Sequence, residues 1–298
     1  TIVTATPITT EAATALIARE SRGAIRDSVI RADAQEEHLL LLDVSGGRLR
    51  GDSTEIIGEA GSGITLIRGT GTVLTVDNSR LATRGIDAYV YGVIARNSNL
   101  RITDSILTAR QSSRVLGFSI NGGEAVFAHN SILFSMPNRA YAFSVGDMEE
   151  LLIANSQLHN IGVSSDSEHT LVYLENPVSR LRVLGNNAWG WDRILTDGAS
   201  AGRSWGFTSP GILRTVEQLE AKNLELRSLK DLQARNNITE SVERTFAAGS
   251  EVLEQQEFTL QLGSRSIDGG VPATELPEEV RASILRDYHG VERSAEQK

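Results

Sequence analysis

The chain contains no cysteine, which removes disulfides, thiol nucleophiles and cysteine-ligated zinc together and leaves the redox compartment undecided. It also lacks any apolar run near the ~20 residues that a membrane helix needs, so no membrane span is expected. Basic character is missing too: net charge is −9, and the 29 Lys and Arg residues are scattered rather than gathered on one tail or stripe. Binding to nucleic acid or to an anionic membrane therefore has no electrostatic support. The first residue is Thr1 rather than Met, as expected of a start that has been processed or trimmed, so a leader peptide would be invisible here.

What is present is a beat. A small polar pair recurs at Asp27-Ser28, Asp52-Ser53, Asn78-Ser79, Asp104-Ser105, Asn130-Ser131 and Asn155-Ser156, in steps of 25 or 26 residues, and Asn186-Asn187 follows after a step of 31. A fixed period of this length means one supersecondary unit copied and stacked. The 298 residues, 40% of them hydrophobic, are then read as an array that grows by adding units, not as one or two enlarged cores.

Three β-type segments lie in each period. A short alternating segment precedes the pair, as in Leu100-Arg-Ile102 and Leu151-Leu-Ile153, and an apolar residue returns just after it, as at Leu81 and Leu107. About twelve residues later comes a stronger block, such as Leu39-Leu-Leu-Leu42, Ile64-Thr-Leu-Ile67 or Tyr141-Ala-Phe143. Short runs of β-branched and aromatic residues with period-two alternation are strand signals. Three strands and three turns in about 26 residues make one rung of a parallel β-helix. A helical repeat needs two longer helices, and a propeller blade needs roughly 40 residues. The expected fold is an all-β, right-handed parallel β-helix of seven or eight coils, with coils through residue 212 and the last coils and a C-terminal cap in 213–298 of the same domain. Asn and Asp at the beat are assigned to sharp bends, where they tolerate the left-handed conformation, and to rung-to-rung hydrogen bonding. Calcium held by Asp27, Asp52 and Asp104 is the competing reading. It would need about six to eight gathered oxygens, and Asn alternates with these acids.

The rungs Val76-Asp-Asn-Ser-Arg-Leu81 and Ile102-Thr-Asp-Ser-Ile-Leu107 resemble those of right-handed parallel β-helix repeat proteins with the pectate-lyase-like fold, of the bacterial surface and periplasmic type. Phe258-Thr-Leu-Gln-Leu-Gly-Ser-Arg-Ser-Ile-Asp-Gly-Gly-Val271 looks like a terminal segment common among bacterial members, with Arg265 in place of the usual proline. Asp287-Tyr-His-Gly-Val-Glu-Arg293 resembles the stretch that follows it. The resemblance implies an extracellular, cell-surface or periplasmic location. It transfers no activity, because lyases, hydrolases, epimerases and adhesins share the fold.

Catalytic patterns are again missing. No Asp-Asp and no Gly-His-Gly occur, so the polygalacturonase-like set is not assembled. Acids concentrate in Asp147-Met-Glu-Glu150 and in Asp166-Ser-Glu168, which could approach each other across the stack, but solvated loop charges are the ordinary outcome. His38, His129, His159, His169 and His289 lack metal-ligand spacing. Catalytic residues are left unassigned and no cofactor is expected, calcium being the one cation left open.

Along the strong block, strict alternation puts Tyr91, Phe118, Phe143 and Tyr173 on an inner aromatic ladder, with Val93, Ile120 and Val145 beyond them. It leaves Gly92, Gly117 and Ala142 on a smooth outer face, suited to the C-terminal segment or to self-association. The period breaks after Asn186, where an excursion over residues 186–211 holds all three tryptophans. Trp189, Trp191 and Trp205, with Asp192 and Arg193 as polar partners, are the candidate substrate-binding residues for a saccharide; a lid packing its own loop is the alternative. The expected function is a non-enzymatic exported protein that presents a rigid surface to a glycan or another protein. A polysaccharide lyase or glycoside hydrolase with an atypical site is the competing class.

Overall fold

The computed structural model describes residues 2–5, 13–34, 38–85, 89–110, 114–135, 139–161, 168–198, 211–221, 226, 228–255, 258–267 and 269–281. It is all-β, 66% strand and 8% helix, and forms a parallel β-solenoid of about six turns with a coil spacing of about 26 residues. The sequence-based expectation is seven or eight coils.

Each turn contributes to three stacks. Stack I collects the strong blocks: Ala13–Arg19, His38–Ser45, Gly63–Thr70, Tyr89–Arg96, Arg114–Asn121, Arg139–Gly146, Glu168–Leu174 and Arg193–Asp197, all parallel. Stack II takes the segments before the beat, from the first halves of Arg22–Ala34 and Arg48–Ala60 through Val73–Asp77, Asn99–Thr103, Glu124–Ala128, Met148–Ala154 and Val178–Leu184 to Leu229–Arg235. Stack III takes those after it, from Ile2–Ala5 to Asn187–Trp189.

The bend between stacks II and III explains the beat. Asp27, Ser53, Asn78, Asp104, His129, Asn155 and Gly185 all have φ between 46° and 64° there. The corner pairs are thus Ser53-Thr54, His129-Asn130 and Gly185-Asn186, one place earlier or later than the polar pairs read from the sequence. The second residue of each corner is buried, and from Thr54 onward its backbone N–H donates to the matching side chain of the next coil. Thr54 N donates to Ser79 Oγ (3.1 Å), Ser79 N to Ser105 Oγ (3.1 Å), Ser105 N to Asn130 Oδ1 (3.0 Å) and Asn130 N to Ser156 Oγ (3.1 Å). The column continues from Ser156 N to Asn186 Oδ1 (3.0 Å) and from Asn186 N to Asn237 Oδ1 (3.1 Å), and it ends where Asn237 N meets Glu220 Oε1 (2.7 Å). Buried donors that would otherwise be orphaned are satisfied one rung at a time. Asp27 and Asp104 share this corner column with Ser53 and Asn78 between them, whereas Asp52 lies on stack II beside Arg50. Among the described residues no three His, Asp or Glu side chains gather to hold a metal.

The interior corrects the face assignment of the strong block. Two successive residues face inward in each stack I strand from His38–Ser45 to Glu168–Leu174: Leu41-Leu42, Leu66-Ile67, Gly92-Val93, Gly117-Phe118, Ala142-Phe143 and Leu171-Val172 are all buried. Alternation resets at that step, so a period of two carried across it exchanges the faces. Phe118 and Phe143 do stack inside, with ring centroids 5.2 Å apart, and Val93, Ile120 and Val145 are interior as expected. Tyr91 and Tyr173 lie outside. Gly92, Gly117 and Ala142 do not form an outer face at all. A Cβ on Gly92 would sit 3.2 Å from Leu107 of stack III, and one on Gly117 would sit 2.8 Å from the Phe134 ring. These residues are small so that large side chains from the opposite stack can reach the axis. The relation inverts at coil two, where Gly58 of stack III makes room for Leu41, Ile64 and Leu66. Self-association through Gly92, Gly117 and Ala142 is therefore withdrawn.

The C-terminal third also departs from expectation. The end of the core is covered by Gly211–Leu213, antiparallel to Arg193–Asp197, and by the helix Val216–Glu220, which buries Val216 and Leu219 and is capped by Thr215. Residues 242–255, 258–267 and 269–281 lie along the side of the rod. Val242, Phe246, Val252 and Leu253 cover Leu133 on the outside of stack III, and Val271, Leu276 and Val280 cover Ala128, Leu152, Ala154 and Leu184 on the outside of stack II. Among the described residues of this segment, Phe246 and Leu260 meet in one antiparallel bridge. A short helix, Glu278–Arg281, closes the described residues.

Candidate functional site

The chemistry missing from the inferred smooth face is found on the true outer face of stack I. Register sets the columns. Tyr89, Arg114, Arg139 and Glu168 occupy one, and Tyr91, Leu116, Tyr141, Thr170 and Arg193 the next. A third runs through Ile94, Ser119, Ser144, Tyr173 and Thr196. Rungs are about 4.8 Å apart, so Tyr91 and Tyr141 are separated by nearly 10 Å along the rod with Leu116 between them. Tyr89 is 54% exposed, a high value for a large aromatic side chain.

Contacts among these side chains hold the face in one arrangement. The Tyr141 and Tyr173 rings are 5.1 Å apart, and the Arg114 guanidinium carbon lies 6.0 Å from the Tyr141 ring centre, within cation–π range. Arg139 and Arg193 converge on Glu168 at 3.0 and 3.4 Å. Ser144 Oγ donates to Glu175 at 2.5 Å. Burial raises the pKa of the Tyr173 hydroxyl, and Tyr141, Glu175 and Glu168 push it further the same way, so it is a neutral donor well past neutral pH. Near the start of the same face Arg68 donates two hydrogen bonds to Asp43, at 2.9 and 2.6 Å, which lowers the pKa of that carboxyl.

The residues expected to bind substrate are not brought together. Trp191 is in the core, its Nε1 donating to Leu158 O at 2.9 Å and its ring edge-on to Phe134. Trp189 lies on the outer side of stack III among the residues packed under the C-terminal segment. Asp192 accepts from His169 N (3.0 Å) and contacts His169 Nδ1 (3.1 Å), closing the approach to stack I. Only Arg193 reaches the Tyr-rich face; Trp205 lies outside the described residues. The acidic loops do not converge either. Asp147 is a corner residue at φ 52°, Glu150 pairs with Arg180 and Arg182 on stack II, and Glu168 belongs to stack I. Asp166 and His289 are outside the described residues.

The remaining histidines have local partners. His38 bonds Thr65 Oγ1 at 3.1 Å, and burial, then Arg68, lower its pKa. His129 is a corner residue within 3.4 Å of Asn155 Nδ2, and His159 is buried beneath Phe246. The Tyr and Arg positions of stack I were visible in the sequence as a period of 25, but only pairing the blocks from their first residue, and not through the reset, puts them on one face. The sequence matches no protein-family model, no curated protein and no solved structure.

Proposed function

We propose that this is a non-enzymatic exported β-solenoid whose stack I face binds an extended glycan running along the rod. The observation that carries the reading is the pair Tyr91 and Tyr141, two rungs apart with the buried Leu116 between them, with Tyr173 against Tyr141 and Arg114 over it. Aromatic rings suit the apolar faces of pyranose rings, while Arg, Glu and Ser supply hydrogen bonds at the edges. The pair's two-rung spacing is comparable to a disaccharide unit. Side chains already held by ring contacts and by the Arg139–Glu168–Arg193 cluster lose little freedom on binding. Such a surface has its use where polysaccharide is met, outside the cell or in a periplasm.

A panel of neutral and acidic oligosaccharides, measured for binding and for new reducing ends or unsaturated uronate, tests this. Binding without turnover is expected, weakened at least tenfold by Tyr141→Ala and unchanged by Arg50→Ala on stack II. Failure to bind any glycan rejects the proposal. A second reading, a glycoside hydrolase, is favoured by one observation: Glu168 and Glu175 both act on the Tyr173 hydroxyl. Turnover abolished by Glu175→Gln or Glu168→Gln would establish it in place of the first.

A further inference from the structure

His159 stands at the junction between the solenoid and the segment strapped along its side. Its ring is fully buried on the outer side of stack III, with Leu133 and Trp189 as its register neighbours and Phe246 of the strap 5.4 Å away. One residue ties the ring to the strap. Asn187 Nδ2 lies 3.3 Å from His159 Nε2, 2.9 Å from Thr245 Oγ1 and 3.1 Å from Ser266 Oγ. The orientation of this amide is fixed from its other end, because Asn187 Oδ1 accepts from Glu240 N at 2.8 Å. The Nδ2 group therefore faces the ring, and since an amide nitrogen accepts no hydrogen bond and its two hydrogens serve Thr245 Oγ1, Ser266 Oγ and the ring between them, Nε2 is the nitrogen without a proton. The proton then sits on Nδ1, which is buried with no hydrogen-bond partner.

We infer that His159 is an acid-sensitive latch: protonation turns Nε2 into a donor facing the Asn187 donor, and residues 242–266 leave stack III while the coils stay folded. Flipping the amide would relieve the clash only by abandoning the Glu240 N–H, so the site has no cheap accommodation. A charge on a ring with only neutral side chains against it also has nothing to offset its lost hydration. Leu133, Asn187, Trp189, Phe246 and Thr245 carry no charge. The titratable group built into the same latch is Glu240, buried, accepting from Ser264 Oγ at 2.6 Å and Arg265 N at 3.3 Å. Burial lowers the His159 pKa from 6.5 to about 3, which agrees with the geometry. The sign follows: the released state binds the extra proton, so closure is strongest above about pH 6.5 and weakens as pH falls below it. Release uncovers Leu133, Ile161 and Trp189, an apolar strip on the side of the rod.

Hydrogen exchange of peptides from 242–267, corrected for the intrinsic effect of pH, measures the open fraction directly. Opening should rise roughly tenfold per pH unit below about 6.5, while peptides from stacks I and II remain protected. His159→Leu should abolish this slope whatever its absolute protection, and Glu240→Gln should keep it. The inference is overturned by a slope that survives in His159→Leu, by one that disappears in Glu240→Gln, by no slope in the parent, or by coil peptides that exchange in step with the strap.

Discussion

The outer face of stack II is two surfaces laid end to end. Over the early coils it carries Arg50, Asp52, Thr75, Asp77, Arg101 and Thr103, and Arg50 and Arg101 both reach Asp77 at 3.2 and 3.8 Å. Over the later coils the same columns hold Val126, Ala128, Leu152, Ala154 and Leu184, with Arg182 the one charged residue among them, and the strap lies on them. The strands pair with the same register and the interior is equally apolar throughout. Outward residues thus report what covers each coil, while inward residues report only that it is a coil.

Substitutions at matched positions can break this contrast. Leu152 is fully buried beneath the strap, so Leu152→Ala should cost about 2–5 kcal/mol in chemical denaturation, against under about 0.5 kcal/mol for Thr75→Ala in the uncovered half. Equal costs would mean that the strap does not seal the later coils. Asn186 is the next test. Its side chain accepts from Ser156 N and donates to Ile153 O at 2.9 Å, and Asn186→Ala orphans both, at about 1–3 kcal/mol by the same assay. In the charged half, Asp77 is buried and its pKa is raised, chiefly by desolvation, with Thr103, Arg50 and Arg101 opposing. A raised carboxyl contributes stability that is present below its unfolded value near 3.8 and lost as pH rises through the folded value. The parent should accordingly lose stability over that acid interval, and thermal melts of Asp77→Asn should lack the step. The smallest effect is expected at Gly51, beside an apolar void of about 10 Å³ lined by Ile25, Leu42 and Leu49. A Cβ there would meet nothing closer than Thr75 O at 3.9 Å, so Gly51→Ala should raise stability by about 0.4–1 kcal/mol.

The fold was legible because its corners repeat. Left-handed backbone at Asp27, Asn78, Asp104 and Asn155 demands a restricted set of residues, and the stacked side chains that follow demand small polar ones, so the period shows in the letters. His129 and Ser53 hide the corner because they fill the same conformation without the usual Asn or Asp, so the pair slips by one place in the letters. The face of stack I was misread for a different reason. Alternation is a local rule, and the two inward residues at Gly92-Val93 or Gly117-Phe118 reverse it without any change in composition. The strap was legible only as a change of character near residue 213, because its docking depends on outward residues of remote coils such as Leu133 and Leu184. Trp191 shows the limit of reasoning from residue type: a tryptophan in an irregular stretch suits a sugar platform, but here it fills a corner of the core and donates to Leu158 O.

The corner column has a direction. Every backbone N–H in it gives its hydrogen bond forward, to the following coil, while the Asn side chains donate backward, Asn130 Nδ2 to Ile102 O and Asn186 Nδ2 to Ile153 O. A copied coil inserted anywhere along the column would find a donor behind it and an acceptor ahead. Cutting the rod short would leave one N–H with nothing to receive it. Glu220 therefore acts as a full stop: the array can lengthen internally without limit from this source, and it ends here on an acceptor supplied from outside the repeat.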